Sequence, residues 1–348
     1  MTTVNNETNE EKELISTKRI SLRSLMEKAE NIQKDCSDYY ITGANDNNFR
    51  IDDEAGVTYM TDDGEVRSKR ITKYALGQLC NKIGVPSQYI RKCINTGRLD
   101  LAQENISSWI SDYNRDLFIR EHGNKIRGVL TQRFSTFDTP EILEVIDDTI
   151  SSSFDIKGYY LSPERFHLRM IDKSERLLPD SDLFAGITID SSDVGRSTLS
   201  VKYFVYKQVC SNGLCIPQSS GTIFQQKHIG ITVDDFKLEL RNNIELIPEI
   251  NARVASMINE SMNSGQIDFD SDTEIDSIIK MLKRNMRMSE EQSRKVIDLF
   301  RYRVREAEDF RYDNNNWGFI NAITEFSKDT TLERRIELER LAGNLLVA

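Results

Sequence analysis

The spacing of apolar residues divides this chain into helical ends around a strand-rich middle. From Ile71 to about Tyr113 the apolar positions recur with helical periodicity, and from Val233 onward they do so again to the end. Between these stretches, roughly 115–235, alternating and continuous apolar runs predict strands. They fall at Asp116–Glu121, Ile126–Thr131, Gly158–Tyr160, Phe166–Ile171, Leu183–Ile189 and Leu199–Val209. A helix around Pro140–Ser151 interrupts them: Ile142, Val145, Ile146 and Ile150 share one face, and Pro140 suits a first turn. Upstream, short apolar runs between Phe49 and Val66 alternate with acidic Gly-containing turns, the pattern of a β-meander. Ser21–Glu27 starts a short helix, and the acidic stretch Asp268–Asp276 divides the final helical region.

The expected fold class is therefore α+β. A strand-rich central domain, antiparallel or mixed, is flanked by helical N- and C-terminal regions. The expected organisation is a disordered tail at 1–20, then a region at 21–114 with a small meander and a helical hairpin. The strand-rich domain follows at 115–235, and a helical region at 236–348 packs on it. The longest strand leads into Val209-Cys210-Ser211-Asn212-Gly213-Leu214-Cys215. There Asn212-Gly213 is the dipeptide that most readily takes positive φ at both centres of a hairpin turn.

Composition narrows the class. The 348 residues carry a net charge of −10, which argues against a protein that coats nucleic acid by charge alone. Local basic faces remain compatible with it. No apolar run is long enough for a membrane span. The polar, acidic residues from Met1 to Glu13 lack the pattern of a secretory signal, and an odd count of five cysteines fits reduced thiols. The expected location is the cytoplasm, with no membrane partner.

Four constellations could carry chemistry. The first, Leu79 to Lys92, has helix-turn-helix spacing that would project Ser87, Gln88, Arg91 and Lys92 toward DNA. The same residues also read as an ordinary helical hairpin, with Gly84 as a left-handed cap and Pro86 opening the next helix. The second is a basic stripe. Lys280, Lys283, Arg284 and Arg287 share one helical face beside Ile275, Ile278, Ile279 and Leu282. Ser289 and Gln292 form a capping box for a following helix that carries Arg294, Lys295, Arg301, Arg303 and Arg305. From Lys280 to Arg311 there are ten Lys/Arg against six Asp/Glu. Phe300, Tyr302, Phe310 and Tyr312 are interleaved and could stack on unpaired bases. A solvated face paired with Glu306, Glu308 and Asp309 is the competing reading.

The third, Asp268–Asp276, superficially resembles a calcium loop. Thr273 stands where that loop needs Gly, however, and Ile279 where it needs the bidentate Glu, so helix-capping carboxylates fit better. The fourth is Cys210 and Cys215 with His228. The spacing is loose and a fourth ligand is missing, so buried free thiols fit better than zinc. Phosphate-binding, dinucleotide, zinc-protease and nucleophile-elbow motifs are absent. No catalytic residue, metal or cofactor is nominated, and the reading leans toward a non-enzymatic protein while leaving open a metal-dependent nuclease that works with Asp and Glu alone.

Several segments together resemble the phage- and plasmid-borne family catalogued as domain of unknown function 932. They are Ala75–Cys80 running to Pro86 and Tyr89; Ile126–Leu130 with Arg133-Phe134; Leu183–Ile187 through Asp193-Val194-Gly195 to Val209–Leu214; and Trp317–Glu325. Ser191-Ser192-Asp193 stands where the family pattern often has Asn-Ser-Glu, and Ser327-Lys328-Asp329 replaces a stretch that often holds a His. The resemblance implies a mobile-element protein acting among replication, recombination or defence-related genes. Three readings follow. One is a non-enzymatic nucleic-acid-binding protein that assists single-strand annealing or replication. Another is a protein-interaction module, either oligomeric or an inhibitor of a host defence protein. The third is a metal-dependent nuclease. Expected partners are DNA, single-stranded ahead of sequence-specific duplex, then a second copy of the chain or a host protein.

Overall fold

The computed structural model describes residues 14–51, 56–150, 152–179, 181–208, 212–215, 222–268 and 271–347. Among these residues the chain is α+β, with two six-stranded sheets and helical N- and C-terminal regions. No helix among them is long and apolar enough to cross a membrane.

The first sheet has the order β1-β5-β6-β4-β3-β2. Its strands are β1 (Cys36–Ile41), β2 (Phe49–Ile51), β3 (Gly56–Met60), β4 (Val66–Ile71), β5 (Leu117–His122) and β6 (Lys125–Leu130). The expected meander is present, with β2–β3–β4 antiparallel. The sheet is mixed because β4 and β6 pair in parallel at Arg70–Lys125 and Ile71–Ile126. A parallel pair needs a long crossover. Three helices provide it: α2 (Lys73–Ile83), α3 (Ser87–Asn95) and α4 (Leu99–Tyr113). Their buried residues, Leu79, Ile90, Ile106 and Ile110 among them, close a core over one sheet face with Ile41, Val57, Ile119 and Ile126.

That pairing corrects the sequence-based grouping. Strands β5 and β6, assigned above to the central region, belong to the N-terminal sheet. Of the tail expected at 1–20, residues 14–20 are described, and part of them packs on the fold. Ile15 is buried, and Ser16 exchanges both backbone hydrogen bonds with Tyr159, at 2.7 and 3.0 Å. Strand β7 lies at a sheet edge, where unpaired N–H and C=O groups accept such a partner.

The second sheet has the order β11-β10-β9-β8-β7, with β12 also on β10. Its strands are β7 (Phe154–Leu161), β8 (Phe166–Arg176), β9 (Leu183–Ser191), β10 (Leu199–Lys207), β11 (Asn212–Cys215) and β12 (Thr222–Gln226). All of its pairings are antiparallel. Alternation gives it two unlike faces. Leu168, Met170, Ile187, Ile189, Val201, Tyr203 and Val205 enter the main core, which helices cover. These helices are α1 (Leu22–Lys34), α5 (Thr139–Thr149), α6 (Val233–Glu245), α7 (Ile247–Met262), α8 (Asp272–Met286), α9 (Glu290–Arg305), α10 (Asn316–Ser327) and α11 (Leu332–Val347). The opposite face carries His167, Arg169, Asp190, Lys202, Phe184 and Tyr206, placed there by the same alternation.

Asn212 and Gly213 do not make the turn expected of them. They pair within β11, opposite Lys207 and Tyr206; Val209, Cys210 and Ser211 lie outside the described residues. Gly213 answers a demand for space. A Cβ there would lie 2.3 Å from the ring of Phe204, which is fully buried and has no room to swing away.

A buried charge cluster joins the two sheets. The guanidinium of Arg120 on β5 is fully buried. Its Nε and Nη2 each donate to Asp38 of β1 at 2.9 Å. Its Nη1 donates to Asp138 Oδ1 at 2.7 Å and to the Asp193 carbonyl at 2.5 Å, and Nη2 donates to Asp138 Oδ2. Asp138 is also the N-cap of α5, in a capping box with Glu141. Beside it, Asp193 Oδ1 accepts from Thr139 N and Oγ1 at 3.1 and 2.9 Å. Gln78 of α2 completes the joint. It donates to the Val194 carbonyl at 2.8 Å and accepts from Val129 N at 2.9 Å.

Adding one methyl group at position 213 tests the β11 packing. Gly213→Ala overpacks Phe204 and is expected to destabilise the protein by about 1–3 kcal/mol in urea unfolding. Unchanged stability would show that the strand can move off the ring.

Candidate nucleic-acid interface

Helix α8 begins inside the acidic stretch. Ser271 is its N-cap and accepts from Glu274 N at 3.3 Å, while Asp272 and Glu274 occupy the first turn. These carboxylates meet the positive end of the helix dipole, in line with the capping reading. Phe269 and Asp270 of that stretch lie outside the described residues. Ile279 and Leu282 are buried, and Ile275 and Ile278 are half-buried, so the amphipathic split sets the opposite face outward.

Lys280, Lys283 and Arg284 are exposed on that outer face. Arg287 lies one residue past the end of α8, as its left-handed C-cap with φ 51°. It therefore extends the row without sharing the helical register expected from i, i+7 spacing. Lys283 Nζ is 3.7 Å from Glu290, and Arg287 Nη1 is 3.8 Å from Glu337. Lys280 and Arg284 have no ion pair among the described residues.

Helix α9 starts at the expected capping box. Ser289 Oγ accepts from Gln292 N at 3.1 Å, and Gln292 Oε1 accepts from Ser289 N at 3.0 Å. Its cations are more heavily engaged. Arg294 meets Glu290 at 3.0 Å, Lys295 meets Glu291 at 2.7 Å, and Arg301 lies 4.0 Å from Asp298. Arg305 is exposed and also engaged. Arg303 is a structural clamp. It grips Glu325 of α10 at 2.5 Å, meets Asp309 at 2.7 Å and stacks 3.8 Å from the centre of the Phe310 ring.

The expected stacking aromatics need correcting. Phe300 and Tyr312 are core residues, and Phe310 is packed against the same core. Only Tyr302 of the four stands exposed. Helical spacing that carries a cation outward carries its neighbours at i±1 and i±2 to other faces. Interleaving in sequence therefore does not place aromatics and cations together.

The helix-turn-helix-like segment forms two helices around Gly84, whose φ of +77° makes it a left-handed cap, and Pro86 is the N-cap of α3. Gln88 and Lys92 are exposed on this nine-residue helix. Arg91 folds back along its own helix, donating to Ser87 O at 3.2 Å and Ser87 Oγ at 2.8 Å. The basic row on α8 and these residues belong to different regions of the fold.

The second sheet holds a polar array that the sequence patterns do not reveal. His167 on β8 lies opposite Asp190 on β9, and its Nδ1 is 2.8 Å from Asp190 Oδ1. Arg169 Nε donates to His167 Nε2 at 2.9 Å. Guanidinium nitrogens only donate, so Nε2 must accept and the ring proton must sit on Nδ1, facing Asp190. Burial further holds His167 in its neutral form. Glu339 of α11 clamps Arg169 through both oxygens, at 3.0 and 2.6 Å, and also accepts from Arg335 at 2.9 Å. This His–Asp pair has the look of a catalytic dyad. Both of its ring nitrogens are engaged, and all four groups are buried, so the geometry describes an anchor that fixes α11 to the sheet. The sequence signal was present in part. His167 and Arg169 alternate on one strand, but Glu339 lies 170 residues from Arg169.

His228 is buried and set apart from this array. Its Nε2 is 3.1 Å from Ser191 Oγ, and its ring stacks on Phe134 at 5.3 Å. Of its suggested cysteine companions, Cys210 lies outside the described residues. Cys215 is packed with Ile171 and Phe204, and burial pushes its thiol up to about 12.

Burial pushes His228 down to about 4, with Asp138 acting upward and Arg120 downward. The unfolded chain therefore binds a proton near pH 6.5 that the folded chain refuses until about pH 4. His228 should lower stability as pH falls through that window, by roughly 3 kcal/mol. Asp193, raised by burial and by Asp138, acts in the opposite sense over part of it. The difference between wild-type and His228→Gln stability curves isolates the histidine. Measured by urea unfolding, the gap should be constant above about pH 7 and shrink toward pH 4. A gap independent of pH would show that His228 titrates normally.

No protein-family model, curated protein or solved structure matches this chain.

Proposed function

We propose that this chain is a non-enzymatic nucleic-acid-binding protein of phage or plasmid type. It holds single strands through the C-terminal end of α8 and serves annealing or replication. The observation that carries the reading is the exposed row Lys280, Lys283, Arg284 and Arg287, in which Lys280 and Arg284 have no ion pair among the described residues. Lys283 and Arg287 make only long ion pairs, at 3.7 and 3.8 Å, and the four cations gather toward one helix end. Free cations exchange condensed counterions for phosphates, the main source of affinity for a nucleic-acid backbone. The resemblance to a mobile-element family supports the same reading.

A second reading has its own observation. Leu101 and Trp109 lie on one face of α4, and Asn105 between them donates to the Tyr89 hydroxyl of α3 at 3.5 Å. Trp109 is 48% exposed and Tyr89 42%. Exposed aromatics of this kind anchor protein interfaces. On this reading the chain is an interaction module, and Trp109→Ala should convert any oligomer seen by light scattering to the monomer. A monomeric wild type, or an oligomer that survives the change, would remove it.

Fluorescence anisotropy with a labelled oligo-dT at several salt concentrations tests the primary reading. Lys280→Glu, Lys283→Glu and Arg284→Glu together should weaken binding by roughly tenfold or more. They should also flatten the log–log salt slope by about 2, at ~0.7 for each phosphate no longer neutralised. The positions are exposed, so the variant should fold, with a small drop in melting temperature from reversing charge at the C-terminal end of α8 and losing the Lys283–Glu290 pair. Equal affinity and slope in wild type and variant would remove α8 from the interface.

A further inference from the structure

Strand pairing lines up four residues across the second sheet. Arg176 of β8 lies opposite Phe184 of β9, Phe184 opposite Tyr206 of β10, and Tyr206 opposite Gly213 of β11. Paired residues in antiparallel strands point to the same face, so these four form one row on the face away from the main helical core. Phe184 and Tyr206 are half-buried and rest on Ile171, Phe204 and Cys215. Gly213 contributes no side chain, and the Phe204 ring fills the space that a side chain there would take.

An open groove of about 420 Å³ runs beside the row. Phe184 and Ile171 line it together with three cations: Lys157, Lys173 and Arg176. Asp155 is the nearby counter-charge, 2.8 Å from Lys173 and 3.5 Å from Lys157. Arg176 gives its Nη1 to the Ser181 carbonyl at 2.9 Å, which fixes its position and leaves its charge uncompensated by that hydrogen bond. Among the described side chains one carboxylate meets three cations, a positive local balance in an acidic protein. Lys157 stands two positions after Asp155, which pairs with Ile171, so strand alternation sets it on the same open face, at the bulge between Ile156 and Gly158.

We propose that this sheet face is a single-strand nucleic-acid site, in which Phe184 and Tyr206 stack on unpaired bases while Lys157, Lys173 and Arg176 follow the phosphates. Half-exposed aromatics beside a basic groove fit that ligand on two counts at once. Bases supply flat apolar faces for the ring pair, and the backbone supplies the negative charge. Duplex DNA satisfies only the second demand, because its bases are already stacked on one another. An acidic peptide likewise offers charge without the flat faces. The proposal shares the nucleic-acid character of the α8 reading and places the ligand on a different surface, which the experiment separates.

The decisive measurement is photocrosslinking of the full chain to oligo-dT carrying 5-bromodeoxyuridine, followed by peptide mapping. Adducts on Phe184 or Tyr206 are expected. Adducts confined to α8–α9 would overturn this site and leave the α8 reading standing, and absence of any binding would overturn both. Phe184→Leu with Tyr206→Leu should weaken oligo-dT binding by roughly tenfold or more, as expected for loss of a stacked base, and leave duplex binding unchanged. Because those rings also pack, Lys157→Gln with Lys173→Gln serves as a second variant that leaves the apolar floor intact. It should flatten the salt slope by about 1.4. Single-strand affinity and slope equal to wild type in both variants would overturn the proposal.

Discussion

The buried guanidinium of Arg120 is the constraint on which the rest of the structure depends. A cation removed from water costs several kcal/mol unless its hydrogen bonds are replaced and its charge is met. Here the partners come from three distant segments: Asp38 on β1, Asp138 at the start of α5, and the Asp193 carbonyl after β9. Each segment also has a second duty. Asp38 belongs to an edge strand, Asp138 caps a helix, and the Asp193 segment meets α2 through Gln78 and Val194. No one of these segments can shift without exposing a buried charge, so the two sheets are locked in one relative position. Loss of one partner would cost on the order of 3–5 kcal/mol, more than a typical surface ion pair by several-fold.

The same accounting of charges explains which cations can act outward. Arg120, Arg127, Arg165, Arg169 and Arg335 are buried. Arg303 is held between Glu325 and Asp309. They hold sheets and helices together, and the acidic surplus of the chain is what makes so many interior pairings available. Most other lysines and arginines lie exposed or half-buried at the surface. Two groups stand out: the end of α8 and the groove beside Phe184. In both, position follows from secondary structure. Amphipathic periodicity turns the α8 row outward, and strand alternation sets Lys157 and Lys173 on the open sheet face.

Much of the local structure was legible in the sequence. Periodicity gave α2 through α5 and the helices after Val233, and alternation gave β8, β9 and β10. Capping chemistry marked Gly84, Ser289 and Pro140 in the first turn of α5, because those effects act within a few residues. Pairing across distance was not legible. Strand β1 reads Cys-Ser-Asp-Tyr-Tyr-Ile, with only Ile41 fully buried, so it carries no strong strand signal. Strands β5 and β6 follow three helices, yet return to β4 because a parallel partner was available there. Asn212-Gly213 fits a turn by local preference, but the sheet draws it into β11 and uses the missing side chain to seat Phe204. The α8 cations were legible as a helical face. The Phe184–Tyr206 row was not, since its members meet only through the register of three strand pairs.

The net charge of −10 sets how either surface can work. At about 0.1 M salt the Debye length is about 10 Å, so a phosphate near α8 or the groove senses the local cations and little of the distant carboxylates. Long-range steering toward a nucleic acid is therefore weak or repulsive, and attraction begins only at close approach. Affinity from the cations alone would fade steeply as salt rises. A surface that must hold a strand under those conditions needs a contribution that salt does not screen. Stacking on an aromatic pair supplies one, because it depends on flat apolar faces meeting rather than on net charge. The sheet row and the groove beside it offer both kinds of interaction, while α8 offers only the electrostatic kind. On the proposed reading the two surfaces would serve different parts of one task, α8 gathering backbone and the sheet face retaining bases.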